Sequence, residues 1–146
     1  MAWPRCKKFL ATDPNQWAMV PLRLALGIIF IGHGSQKLFG WWGGHGFAGT
    51  AALFADKIGL TPGWLWAALA GGGEFAGGLL LILGLFTRLG AFFICMVMLV
   101  AIFKVHLGSF FMPTGVEYTC SLLAAAVALL IAGGGKFSLD AILQAE

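Results

Sequence analysis

The sequence predicts an all-α integral membrane protein, a four-helix bundle with short interfacial helices in the first loop and at the C-terminus. Two observations support this fold class: 60% of the 146 residues are hydrophobic and 10% are charged, and the mean hydropathy is +0.90. Globular domains usually contain about 25% charged residues. A chain of this length cannot bury so much apolar surface within itself, so lipid must be its solvent. The length also predicts a single domain over residues 1–146.

Four apolar blocks are candidates for crossing a bilayer, which requires about 20 residues. Asp13 before Pro14 predicts the start of the first block, and Thr61 before Pro62 predicts the start of the second. The short turn at Arg88 predicts that the second and third helices form an antiparallel hairpin. A Gly-Gly-Gly stop ends the fourth block. The predicted spans cover residues 17–39, 63–86, 89–105 and 117–132.

Two further segments predict short helices at the membrane surface. In the first loop, Phe47, Ala51, Phe54 and Ile58 recur at helical spacing, which is typical of an amphipathic helix. The C-terminal segment predicts another helix, capped by Ser138.

The basic residues predict the orientation of the chain. With four spans, both termini share one side, and Arg23 is expected to snorkel toward that side. Fewer cations face the opposite side, so the positive-inside rule predicts a multi-pass protein of the cell (inner) membrane with both termini in the cytoplasm. The other cations on the terminal side are Arg5, Lys7, Lys8, Arg88 and Lys136.

Ionisable residues within the apolar blocks predict a polar pocket. Glu74 lies near the middle of the second block, where a carboxylate is costly unless it is paired, protonated or hydrated. His33 and Lys37 are four residues apart and share one helix face. Three more ionisable residues lie at the same, non-cytoplasmic end. The candidate pocket therefore comprises His33, Lys37, Glu74, Lys104, His106 and Glu117.

Structural alternatives exist for each group in this pocket. Glu74 is equally expected to form a hydrogen bond or ion pair that only ties the helices together. Snorkelling to the interface is the ordinary role of Lys37 and Lys104, and His33 would then be a hydrogen-bonded histidine within the bundle. No residue is assigned a catalytic role.

The glycines of the second block predict close helix packing. Gly73 and Gly77 have small-xxx-small spacing and Gly78 adjoins them, so a neighbouring helix can approach backbone to backbone.

Other site classes are not expected. The three histidines lack the spacing of a metal site, and Cys95 and Cys120 are expected to be small core residues. The cations form no stripe that would bind nucleic acid.

Three stretches resemble the DoxX family of membrane proteins. They are LRLALGIIFIGHGSQKLFG in the first block, GGGEFAGGLLLILGLFTRLGA around Glu74, and GVEYTCSLLAAAVALLIAGGGKFSLD around the fourth. The resemblance implies a small four-helix protein of the bacterial inner membrane, related to the large membrane subunit of a thiosulfate:quinone oxidoreductase. Compared with that subunit the chain is short, and it is expected to lack a separate soluble domain. It is therefore expected to be at most one subunit of an oxidoreductase.

The resemblance and the polar residues together lead to three hypotheses. The first is a subunit of a membrane redox or respiratory complex that binds a quinone through Glu74, His33 and Lys37, with electrons supplied by a partner. The second is a non-catalytic accessory or scaffold subunit of a larger membrane complex. A transporter of protons or small solutes is the weakest of the three. The expected partners are membrane lipid, a larger membrane or redox protein complex, and a second copy of the chain. Aromatic and methionine residues expected near the quinone tail are Phe30, Phe75, Phe93 and Met96.

Overall fold

The regular structure of the chain is helical throughout the residues that the computed structural model describes, 11–111 and 115–145. Within these ranges the all-α prediction is confirmed. The α-helices are α1 (Met19–Phe39), α2 (Gly46–Leu53), α3 (Gly63–Leu83), α4 (Thr87–Ala101), α5 (Val116–Ala132) and α6 (Leu139–Ala145). Two π-helical segments, Phe54–Ile58 and Ile102–His106, extend α2 and α4, and a 3₁₀ turn follows α1 at Trp41–Gly43.

The four longer helices surround a common apolar core. They contact one another in the order α1–α3, α3–α4, α4–α5 and α5–α1. Phe30, Leu81, Ile94 and Leu129, one from each of these helices, are fully buried at the centre. These four side chains are packed without exposed surface. Large apolar side chains also cover the outer surface of the helices, as expected when the solvent is lipid.

The helices do not all begin where the sequence predicted. Asp13 was predicted to cap the first span, but it accepts a hydrogen bond from the backbone N–H of Asn15 (2.9 Å), and α1 begins later, at Met19. Thr61 was predicted to cap the second span, but Pro62 occupies that position without a side-chain cap. Pro14 lies in a turn ahead of α1 and Pro62 is the N-cap residue of α3, so neither proline lies in the first turn of its helix. The cap predicted for α6 is confirmed, because Ser138 Oγ accepts a hydrogen bond from the N–H of Ala141 (3.1 Å).

Glycines bring α1 against α3. A Cβ placed on Gly78 would lie 2.8 Å from the carbonyl oxygen of Gly27, and one on Gly34 would lie 2.6 Å from the backbone nitrogen of Phe75. Such distances are far shorter than van der Waals contact, so only glycine permits this approach. The close contact places the polar end of α1 directly beside the middle of α3.

Arg23 is buried instead of snorkelling to the interface, which corrects the prediction for this residue. Its guanidinium is enclosed between α3 and the segment before α6, and the residue is 3% exposed. The last carbonyls of a helix have no partner within the helix, and the five N–H groups of arginine can reach several of them. The carbonyl acceptors are those of Leu81 (3.3 Å), Ile82 (3.0 Å), Lys136 (3.4 Å) and Phe137 (2.5 Å).

Asp140 closes the same end of the molecule. Its two carboxylate oxygens accept hydrogen bonds from the backbone N–H groups of Phe86 (2.7 Å) and Thr87 (2.8 Å), at the start of α4. Its own N–H donates to the carbonyl of Gly84 (2.8 Å). A carboxylate in this position satisfies the unpaired donors of the helix start and interacts favourably with the helix dipole.

Two helices of the described chain are long and apolar enough to cross a membrane. These are α3, with a mean hydropathy of 1.5, and Thr87–His106, with 2.2. The 21 residues of α1 include His33, Gln36 and Lys37, which lower its mean hydropathy. At 17 residues, α5 is apolar but shorter. The basic N-terminal residues Arg5, Lys7 and Lys8, which were used to predict the orientation, lie outside the described residues.

Candidate functional site

An ion pair between two helices forms the centre of the candidate site. Lys37, in the last turn of α1, places its Nζ 2.6 Å from Oε2 of Glu74 in α3. The Glu74 side chain is 3% exposed, whereas that of Lys37 is 28% exposed. Lys37 therefore does not snorkel away from the helices, because it compensates a buried carboxylate. The backbone carbonyl of Lys37 also accepts a hydrogen bond from Thr50 Oγ1 (3.2 Å), which attaches α2 to the end of α1.

A cavity of about 840 Å³ lies beside this ion pair. Its volume falls within the range of small-molecule sites, about 300–1,000 Å³. Most of its lining is aliphatic or aromatic and comes from the four longer helices, while α2 and its π-helical extension contribute at the outer end. The polar or ionisable side chains that line it are His33, Gln36, Lys37, His45, Thr50, Glu74, Lys104, His106, Tyr118 and Thr119.

Five of the six residues of the predicted pocket line this cavity. His33 and Lys37 come from α1, Glu74 from α3, and Lys104 and His106 from the π-helical segment after α4. Glu117 is in the first turn of α5 but does not line the cavity. The next two residues, Tyr118 and Thr119, take that position instead, since each step along a helix turns the side chain by about 100°.

Several cavity residues were missed by the sequence analysis. Gln36, Thr50 and Thr119 are ordinary polar residues in apolar surroundings, and nothing in their local spacing distinguishes them. His45 was considered only as a metal ligand. A signal was available for Gln36, which lies one turn after the predicted His33, at the spacing of three that places residues on one helix face.

The four residues expected near the quinone tail separate into two groups. Phe30, Phe93 and Met96 line the cavity. Phe75 does not, because its ring packs edge-on against Phe39 with the centroids 5.5 Å apart.

The fixed charges of the cavity do not cancel. Two lysines, Lys37 and Lys104, and one carboxylate, Glu74, line it, so two positive charges minus one negative charge leave +1 before any histidine is counted. Lys37 and Glu74 compensate each other's charge. A ligand in the cavity therefore meets an ammonium donor, a carboxylate acceptor and the imidazole of His33 in a largely apolar space. Such groups can orient a polar head and exchange a proton with it.

The predicted packing glycines differ in how tightly they pack. A Cβ on Gly77 would lie 3.0 Å from the carbonyl oxygen of Gly90, and Gly78 approaches α1 as described above. At Gly73, the nearest atom to such a Cβ is Val97 Cγ2 at 3.7 Å, an ordinary contact. Gly73 thus belongs to the cavity lining.

The two cysteines of the described helices have different environments. Cys95 is buried, as predicted, and Cys120 is exposed, which corrects its assignment to the core. Cys120 lies on the outer face of α5, since the inner positions are those of Thr119 and Leu122. Within the described ranges, no three His, Cys, Asp or Glu side chains come together in a way that could hold a metal ion.

Comparison with known proteins identifies the family. The sequence profile of the DoxX family matches residues 18–107, more than half of the chain. This stretch contains α1 to α4 and eight of the ten polar side chains of the cavity: His33, Gln36, Lys37, His45, Thr50, Glu74, Lys104 and His106. Neither a curated protein nor a solved structure matches the chain. The profile match, together with apolar helices of membrane-crossing length, shows that the chain is a small membrane protein belonging to the DoxX family.

Proposed function

We propose that this protein is a multi-pass subunit of a membrane redox complex and that its cavity binds the headgroup of a quinone. The ion pair between Lys37 and Glu74 on the cavity wall carries the proposal. A quinone headgroup is a planar apolar ring with carbonyl oxygens that accept hydrogen bonds. The ammonium of Lys37 can donate to one carbonyl oxygen, and His33 adds a second polar group on the same helix face.

The largely apolar lining supports a quinone over a water-soluble ligand. A ligand site normally combines hydrophobic walls with a few placed polar groups that determine the orientation of the ligand. Here the walls include Phe30, Phe93 and Met96, and the polar groups gather at Lys37 and Glu74.

The proposed arrangement in the membrane has four spans, α1, α3, α4 with its π-helical extension, and α5. Arg23 and Lys37 would then be inside the protein and not in lipid, which reduces the cost of placing α1 across the bilayer. With Arg88 and Lys136 on the side of the termini, the positive-inside rule favours termini in the cytoplasm of an inner membrane. The helix α2 would lie in the interface on the opposite side.

A redox partner is part of this proposal. The sequence resembles a quinone-linked oxidoreductase subunit, and a partner of the same membrane would supply the electrons. This chain would hold the headgroup and handle protons at its carbonyl oxygens through the side chains of the cavity.

Binding of a quinone to the reconstituted protein tests the proposal. The protein is placed in lipid nanodiscs and titrated with a benzoquinone that carries a decyl tail. Quenching of Trp66, whose side chain lines the cavity, reports binding, and Trp66→Phe identifies its share of the signal from six tryptophans. The double variant Lys37→Met/Glu74→Leu removes both charges. Since a hydrogen bond to a charged group contributes about 1.5–3 kcal/mol, we expect roughly ten- to hundredfold weaker binding.

Two results would contradict the proposal. One is unchanged affinity in the double variant, which would show that the ion pair does not contact the ligand. The other is failure of the wild-type protein to bind the quinone.

A second experiment tests the alternative that the protein is a non-catalytic accessory subunit. The native membrane is solubilised mildly, and mass spectrometry identifies the molecules that remain attached to the protein. A large complex recovered without quinone, and unaffected by the double variant, would favour that alternative.

A further inference from the structure

The cleft between α3 and α4 changes width along its length. Near the turn that joins the helices, a Cβ on Gly77 would lie 3.0 Å from the carbonyl oxygen of Gly90, and the reverse distance is also 3.0 Å. The two backbones therefore touch there, and the cleft is closed. One helical turn further from this contact, at Gly73, the nearest atoms of α4 are side-chain atoms at 3.7 Å and 3.8 Å.

Beyond Gly73 the cleft becomes part of the cavity. Leu69 and Gly73 of α3, with Phe93 and Met96 of α4, line the cavity from opposite sides of the cleft. Leu69, Phe93 and Met96 also remain exposed, at 56%, 36% and 42%. Side chains that reach both the cavity and the surface surround an opening. The cavity therefore opens sideways between α3 and α4.

The same cleft continues toward the outer end of the helices. A smaller space of about 230 Å³ lies there and shares Trp66, Val100 and Lys104 with the main cavity. Leu60, Leu99 and Phe103 complete its lining, so its walls are apolar except for Lys104. An apolar passage thus connects the polar groups of the cavity with the outer surface of the two most apolar helices.

We infer that the cavity is reached from within the lipid through the α3–α4 cleft and that its ligand is an amphiphile whose apolar tail remains in that cleft. The inference rests on the proposed function and adds the position of the ligand's tail and the route by which the ligand enters. Gly73 and Met96 each lie near the middle of their helices, so the opening faces hydrocarbon when α3 and α4 span the membrane. With a polar head at Lys37 and Glu74, the tail can extend past Phe93 and Met96 into this cleft.

A pair of quinones with one headgroup separates tail binding from head binding. One is 2,3-dimethoxy-5-methyl-1,4-benzoquinone and the other carries a decyl tail on the same ring. Gly73→Leu places an isobutyl group in the cleft, and Gly73→Ala is its matched control because a Cβ there makes only ordinary contacts. We expect Gly73→Leu to weaken binding of the tailed compound at least about tenfold, since apolar tail contacts are lost. Binding of the tailless compound should change less than about twofold, since the ion pair is untouched.

A reversible cross-link provides a second test of the route. A Cβ on Gly73 would lie 3.8 Å from Cβ of Phe93, within the usual range of about 3.5–4.5 Å for a disulfide. Gly73→Cys/Phe93→Cys is made in a chain whose Cys6, Cys95 and Cys120 are replaced by alanine. We expect the oxidised protein to bind the tailed compound at least about tenfold more weakly than the same sample after reduction, so each sample serves as its own control.

The outcomes distinguish this inference from the proposed function. Equal weakening of both compounds by Gly73→Leu, or no weakening of either, would overturn the tail site while the wild-type protein still binds quinone. A disulfide that forms completely and leaves binding unchanged would overturn the lateral route. If the wild-type protein bound neither compound, the proposed function would fail, and this inference would fail with it.

Discussion

Lys37 and Glu74 form a 2.6 Å ion pair that joins the end of α1 to the middle of α3. The carboxylate is almost completely buried, so its charge depends on the ammonium for compensation. The pair is both a connection between helices and the polar wall of the cavity. Substitutions that affect the connection between the helices change the unfolding free energy, whereas those that affect the cavity wall change ligand binding.

Removing one partner of this pair should destabilise the protein much more than removing both. Lys37→Met leaves the buried Glu74 carboxylate uncompensated, which costs about 3–5 kcal/mol, whereas Glu74→Leu leaves the more exposed Lys37 ammonium and should cost less. Lys37→Met/Glu74→Leu replaces the pair with apolar side chains and should restore most of the lost unfolding free energy. Titration with a denaturing detergent, followed by circular dichroism, measures these values and gives the coupling between the two positions.

The exposed Lys57 offers the control for loss of a lysine charge. Lys57→Met should change the unfolding free energy by less than about 0.5 kcal/mol. If the losses in the two single variants simply added in the double variant, the ion pair would contribute nothing as a pair. The double variant would then be less stable than either single variant and could not serve as the folded protein in the binding experiment.

Asp140 should stabilise the protein through the start of α4. Asp140→Ala leaves two buried N–H groups, those of Phe86 and Thr87, without their acceptors, so we expect a loss of about 2–3 kcal/mol. Asp140→Asn keeps one acceptor oxygen and should lose less. Thermal unfolding in detergent compares them with Asp13→Ala, whose exposed carboxylate accepts a single local hydrogen bond. Equal midpoints for Asp140→Ala and Asp13→Ala would show that the cap does not contribute.

Local sequence patterns were sufficient for the helices but not for all of their ends. Runs of apolar residues place α1, α3, α5 and α4 with its π-helical extension to within about three residues, because hydrophobic length is a local property. The start of α1 was predicted too early because Asp13 and Pro14 form a turn of their own. A residue such as Asp13 before a proline can cap a helix or form a turn ahead of it, and the sequence does not distinguish these two roles.

Contacts between distant residues explain the remaining differences. Spacing alone could show that His33 and Lys37 share a face, but the rotation of α3 that brings Glu74 to Lys37 depends on the packing of Gly34 against Phe75. Similarly, Arg23 binds carbonyls 58 to 114 positions away in the chain. An arginine near a helix end looks the same in sequence whether it reaches solvent or the backbone of another segment.

Arg23 should hold the C-terminal segment against the helices. Arg23→Lys retains the charge but not the fork of donors that reaches the carbonyls of Lys136 and Phe137. We expect the segment to open more often and trypsin to cleave after Lys136 at least about fivefold faster, since one lost hydrogen bond is worth about 1 kcal/mol. Mass spectrometry of the released peptide measures the rate in detergent micelles.

Arg88→Lys is the matched control for this experiment. Arg88 is also partly buried, but its guanidinium donates to the carbonyls of Ala11 and Leu130 and not to the segment before α6. The same substitution there should leave cleavage after Lys136 near the wild-type rate. Acceleration of equal size in both variants would indicate general loosening of the fold instead of a specific role for Arg23.

Two glycines on one helix should respond in opposite directions to the same substitution. Gly78→Ala places a Cβ 2.8 Å from the carbonyl oxygen of Gly27 and 2.8 Å from the nitrogen of Ile31, so α1 must move. We expect this overpacking to cost about 1–3 kcal/mol of unfolding free energy. Gly72→Ala meets no atom within 4 Å and should stabilise α3 by about 0.5–1 kcal/mol, because alanine is the better helix former. Denaturing-detergent titration of both variants measures the difference, and a loss of similar size at Gly72 would contradict the open space beside it.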